Sequence, residues 1–221
     1  MTMVNPQVLS STFTMLRARA IEPRDGESEI DNAVRAIDRS IEAANELHAS
    51  VERTRQNADV SELGKTKQIV KSTVHYGEPA LETIHEARKR LSERSESLVS
   101  DIKAMPDLTP DQKAIGVEIR AHFKALESSK RMQHVLDAMK RMDETDVLTI
   151  RSLLDGPTYL TGLDAEFLEK AREQLHKRLA PTETQRRERI AEMDGLLATI
   201  ERTLQRAVDD AKTTPVESRA A

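Results

Sequence analysis

Seven apolar residues near the end of the chain constrain its fold most: Ile190, Met193, Leu197, Ile200, Leu204, Ala207 and Ala211 alternate in steps of three and four. A helix of 3.6 residues per turn gathers all seven into one stripe, whereas a strand divides them between two faces. The same steps recur at Ile30, Val34, Ile37, Ile41, Ala44, His48 and Val51. They appear again at Leu81, Ile84, Arg88, Leu91, Ser95, Leu98, Ile102 and Met105, with Arg88 and Ser95 as polar interruptions. Aromatics make up 2% of the 221 residues and Trp is absent, so narrow helix seams suit this chain better than a thick core. The expected fold is all-α: an elongated bundle of long amphipathic helices with coiled-coil-like seams.

Breaks between stripes set the expected boundaries. Glu22-Pro23-Arg24-Asp25-Gly26 reads as a turn that closes an N-terminal arm, residues 1–26, in which Val8, Leu9, Phe13, Met15 and Leu16 form a docking helix. Residues 27–212 form the bundle, and 213–221 a flexible tail. Within the bundle, a helix over Val60–His75 is expected to bury Leu63, Ile69, Val70 and Val74, and to break or kink at Tyr76-Gly77-Glu78-Pro79. Thr109-Pro110-Asp111-Gln112 has the residues of a capping box with proline in the first turn. It opens a long helix reaching about Met142, with Ile115, Ile119, His122, Phe123, Leu126, Met132, Val135, Leu136 and Met139 inside. Thr145 is the expected cap of a short helix ending at Leu154. An elbow at 152–164 follows, stopped by Gly156-Pro157 and restarted by Asp164 as N-cap. Phe167, Leu168, Ala171, Leu175 and Leu179 then share one face up to Pro181. Gly195 inside the last stripe suggests close helix approach.

The chemistry of sites is sparse. With no Cys, the chain has no disulfide, zinc–thiolate centre or cysteine nucleophile. Gly64-Lys65-Thr66 lacks the upstream glycine of a phosphate loop, and His85-Glu86 has no second His four residues on. The six histidines show no i, i+4 pair, and His48 reads as a polar residue tolerated in a seam. Arg88-Lys89-Arg90 with Arg94 is interleaved with Glu86, Glu93 and Glu96, the pattern of a solvated, salt-bridged face. The net charge of −4 argues against nucleic acid as main ligand. No catalytic, cofactor or metal residue is assigned and no enzyme is expected. There is no apolar run of membrane-spanning length and no signal-peptide pattern, so neither a membrane span nor secretion through a signal peptide is expected.

The run Leu153-Leu154-Asp155-Gly156-Pro157-Thr158-Tyr159-Leu160-Thr161-Gly162-Leu163, with the acidic helix start and the Arg178-Leu179-Ala180-Pro181 end that follow, resembles a pattern in small all-helical proteins of tailed-phage and prophage structural gene modules. The resemblance implies a virion or assembly role, with a virion or the host cytoplasm as the expected location, and brings no ligand residues. The expected contacts are Tyr159, Leu160, Leu163 and Phe167 at the elbow, and Leu197, Ile200 and Leu204 on the last stripe. The expected partners are further copies of the chain and other structural proteins of an assembly. Two other readings compete: a cytoplasmic adaptor holding one partner through the elbow or the Met132, Met139 and Met142 end, and a scaffold that leaves after assembly.

Overall fold

The computed structural model describes residues 5–103, 107–156 and 161–214, and among these it holds eight helices and no strand. They are α1 (Pro6–Arg17), α2 (Ser28–Gln56), α3 (Glu62–Lys103), α4 (Pro110–Ala125), α5 (Ser128–Arg141), α6 (Glu144–Leu154), α7 (Ala165–Leu179) and α8 (Pro181–Thr213). The all-α expectation holds. Residues 27–212 had been read as one bundle, whereas packing divides the chain into two compact units. Unit 1 joins the residues up to Glu96 to those from Arg187 onward; unit 2 is the intervening stretch Ser97–Arg186.

Unit 1 is built on α2, α3 and α8. Contacts from α3 to α8 run Gly77 to Val208, Glu78 to Lys212 and Arg88 to Asp194 and Glu201, so residue numbers fall along one helix as they rise along the other. The two are therefore antiparallel. The hydroxyls of Ser50 and Ser72 meet at 2.9 Å between α2 and α3. Every residue of the last stripe is buried, joined by Leu196 and Val208. On α2 the buried set includes Ala33, Val34, Ala36 and Ile37, wider than a two-helix seam needs, because more than one neighbour covers it. One neighbour is α1. Leu9 and Phe13 of the expected arm are fully buried, Ser10 Oγ donates to Asn45 Oδ1 at 2.5 Å, and Arg17 pairs with Asp38 at 2.8 Å. Burying two such side chains contributes roughly 1.5–3 kcal/mol each.

Several expectations about α3 are corrected. The helix runs unbroken through Tyr76-Gly77-Glu78-Pro79, with Pro79 inside it and exposed. The buried residues here are Thr73, Gly77, Ala80, Ile84, Ala87 and Leu91, a stripe rotated from the one the bulkier side chains suggested. Ala80 and Ala87 take the places expected of Leu81 and Arg88. Leu63 is exposed, not buried. A Cβ on Gly77 would lie 2.4 Å from Val208 Cγ2, so this glycine marks the close approach of α3 to α8. At Gly195, where close approach had been expected, nothing stands within 4 Å of such a Cβ.

Unit 2 contains α4 to α7 around a core of Phe123, Val135, Ala138, Ile150, Leu153, Leu163, Leu168, Ala171 and Leu175. Thr109 and Gln112 make the expected capping box, at 3.3 and 3.0 Å. The long helix expected from there is two. Leu126 turns extended (ψ 155°), α4 stops, and α5 begins at Ser128. Arg131 satisfies the stop: its guanidinium donates to the carbonyls of Leu126 (2.8 Å) and Lys124 (3.0 Å), which the ended helix leaves without amide partners. The cap of α6 is Asp143, in a box with Asp146, rather than Thr145. Asp164 caps α7 as expected, accepting from the Glu166 amide at 3.1 Å. Leu179, expected on the apolar face of α7, is exposed.

Candidate functional site

Tyr159 and Leu160 lie outside the described residues. Their companions at the elbow point inward. Leu163 belongs to the unit 2 core and Phe167 packs against it. Gly162 has φ +63°, a left-handed backbone that favours glycine, and its carbonyl accepts from Arg131 at 3.4 Å. A Cβ there would collide with the Arg131 guanidinium. The three contact residues assigned to the last stripe are corrected outright: Leu197, Ile200 and Leu204 are 0%, 0% and 2% exposed. Other helices of the same chain cover them, so they offer no area to another subunit.

Exposed apolar side chains stand on both units: Val8 (54%) and Met15 (64%) on α1 of unit 1, and a group on α4 and α5 of unit 2. The inner side of α4 carries Gly116, Ile119 and Phe123, while Ala114, Ile115, Val117 and Ala121 face outward. Ile115 is 45% and Val117 59% exposed, and Met132 on α5 is 44% exposed. Ile115 and Met132 had been expected in the core. The sequence contains the signal for this face: α4 is apolar on more sides than one core can cover, and only its inner side has neighbours.

Beside this face lies a cleft of about 410 Å³ walled by α4, α5 and α6. Its floor is Phe123, Ile119 and Ala138. The rings of His122 and His134 stand edge-on to Phe123, with centroids 6.4 and 6.1 Å away. Glu118, Thr149 and the Arg141–Asp146 pair complete the rim. Asp146 is already engaged. Arg141 donates to it at 2.8 and 3.2 Å, and its carboxylate caps the backbone of Asp143. The hydrogen bond from Arg141 is the main cause holding the Asp146 carboxyl below its ordinary range. A concave apolar floor with polar groups at the rim suits an inserted apolar side chain.

A second cleft, about 520 Å³, opens between α3 and α8 of unit 1 over Leu91 and Ile190. Arg88 crosses its wall, held by both oxygens of Asp194 (2.7 and 3.2 Å) and by Glu201. Those carboxylates raise the Arg88 pKa above its already high ordinary value. Its donors are committed to tying α3 to α8. The nearby imidazole of His85 reaches Glu201 at 3.9 Å. No group of three or more His, Asp or Glu side chains among the described residues is placed to hold a metal ion. No helix among them is long and apolar enough to cross a membrane. No protein family, curated protein or solved structure matches the chain.

Proposed function

We propose that the protein is a non-enzymatic structural or assembly protein that works by packing against other subunits, as a virion-associated component of a tailed-phage type of particle or of its assembly in the host cytoplasm. The observation that carries the packing part is the exposure of apolar side chains on α4, where Ile115 (45%) and Val117 (59%) flank the exposed Ala114 and Ala121. Exposed apolar side chains, here on both flanks of α4, gain from being covered. The phage setting rests on the resemblance of the Leu153–Leu163 run. The partners in this reading are further copies of the chain and other structural proteins.

Light scattering on a size-exclusion column, over a range of concentrations, tests this. The chain self-associates through α4, and Ile115→Asp with Val117→Asp yields monomers. Because both side chains are exposed, helical circular dichroism is retained. A chain that stays monomeric throughout sinks the homo-oligomer and leaves the adaptor reading, for which the 410 Å³ cleft supplies the docking place.

A further inference from the structure

The basic run Arg88-Lys89-Arg90 divides by structure. Arg88 is bound to α8, Lys89 reaches Glu93 at 4.0 Å, and Arg90 turns to the other side of α3, into a groove shared with α2. The groove is about 200 Å³. Its floor is Ala36 and Ala87, two buried small side chains that keep the space between the helices open. Its walls are Arg35 and Arg39 from α2, and Glu86 and Arg90 from α3. Arg35 is already paired with Asp31 on its own helix, one turn away. Arg39 and Arg90 make no ion pair or hydrogen bond among the described residues. Elsewhere in the unit, arginines facing neighbours are engaged: Arg17 by Glu22 and Asp38, Arg88 by Asp194 and Glu201, Arg189 by Glu27.

We propose that this groove binds the dianionic phosphate of a phosphomonoester between Arg39 and Arg90. Arg39 from α2 and Arg90 from α3, both left without anions, line one groove with a small-residue floor, together with the polar side chains of Asn32 and Thr83. The planar fork of each guanidinium donates two parallel hydrogen bonds to neighbouring phosphate oxygens, a match that lysine does not offer. A phosphomonoester carries close to two negative charges near neutral pH, one for each free arginine. Glu86 is the opposing group, a carboxylate on the same wall that repels the ligand. Lines of charge along the two helices therefore give the site a sign pattern that substitution reads out in both directions.

The test is a titration of the full chain at constant ionic strength, followed by the arginine side-chain Nε–H signals in NMR. The probes are inorganic phosphate, dimethyl phosphate, and one serine peptide with and without phosphorylation. Inorganic phosphate shifts Arg39 and Arg90 saturably, and the monoanionic dimethyl phosphate binds about tenfold more weakly. Arg39→Ala or Arg90→Ala weakens phosphate binding by about tenfold, and Glu86→Gln tightens it by roughly threefold. Arg90→Lys retains the charge without the fork and falls between. All these side chains are exposed, so each variant keeps the wild-type melting temperature as the control for folding. Tighter binding of the phosphopeptide than of inorganic phosphate assigns the ligand to a modified partner protein; equal binding assigns it to a small phosphorylated molecule. Shifts without saturation, shifts spread evenly over exposed basic residues, or a response unchanged in Arg39→Ala with Arg90→Ala would overturn the proposal.

Discussion

Two glycines show how far side-chain size alone decides packing. At Gly77, alanine gains about 1 kcal/mol of helix propensity, but its Cβ meets Val208 Cγ2 at 2.4 Å. Overpacking of a tight core costs about 1–3 kcal/mol, so Gly77→Ala destabilises the chain in urea unfolding. Combining it with Val208→Ala removes the clash, and the double variant is more stable than Val208→Ala alone. Gly195 has open space, and Gly195→Ala stabilises by up to about 1 kcal/mol. The sequence reads Gly77 as part of a break and Gly195 as the close approach, the reverse of what packing shows, because the neighbour that matters at Gly77 lies on a helix far along the chain. The same blindness misplaced the α3 stripe: large side chains draw the eye to Leu81, while the closest packing uses Ala80 and Ala87. A pH prediction belongs at this scale too. His176 is buried, its Nε2 has no partner, and its pKa is lowered by burial first and by Arg172 next, with Lys103 adding and Glu169 and Glu173 opposing. Above the ordinary value of 6.5 the imidazole is neutral in both folded and unfolded states. Below it, the unfolded chain takes up the proton first, so stability falls as pH drops from 6.5. Urea unfolding at stepped pH shows this slope, and His176→Leu flattens it. An unchanged slope in the variant removes His176 as its cause.

Elements were legible where their ends are written in short-range chemistry. Thr109-Pro110-Asp111-Gln112 and Asp164 cap helices as their residue types require, and Asp155-Gly156 follows the end of α6. Ends imposed from a distance were not. Nothing in Leu126-Glu127-Ser128 is a helix breaker, yet α4 ends there, and Arg131 of the next helix supplies donors for its last carbonyls. Conversely Pro79, a breaker by type, sits in an unbroken α3. Packing of Gly77, Ala80 and Ile84 holds the helix on either side, and only one backbone donor is lost. Arg131→Met keeps the aliphatic stem and removes the donors. It costs about 1–3 kcal/mol, since the carbonyls of Lys124, Leu126 and Gly162 lose their charged partner. Amide exchange reads the consequence where it is expected, at the α4–α5 junction and at Gly162. Protection unchanged at both places shows that water replaces the guanidinium without loss.

For the whole molecule, all-α architecture and the burial of the last stripe were readable from periodicity. The division into units was not, because it depends on which stripes meet, and periodicity is silent on that. Likewise Leu197, Ile200 and Leu204 were known to need cover, but not that α8's own chain provides it. The division makes a direct prediction. Ser95 on α3 and Ile190 on α8 line one cleft, so the two cut ends of unit 1 are close. Replacing residues 97–186 by a short Gly-Ser turn leaves a helical chain that unfolds cooperatively. Loss of cooperativity shows that unit 1 depends on the segment between.

Because unit 1 takes its last helix from the far end of the chain, synthesis and folding run out of step. Unit 2 is contiguous, so all of it is made before the part of unit 1 that begins at Arg187. Throughout that interval α2 and α3 wait with Ile37, Leu47, Ile84 and Leu91 uncovered, since their cover includes the stripe from Ile190 to Ala211. A chain cut short between Arg186 and Ile190 therefore leaves that apolar surface without the α8 stripe. The stretch from Ile190 to Ala211 thus closes a unit whose other helices are made first.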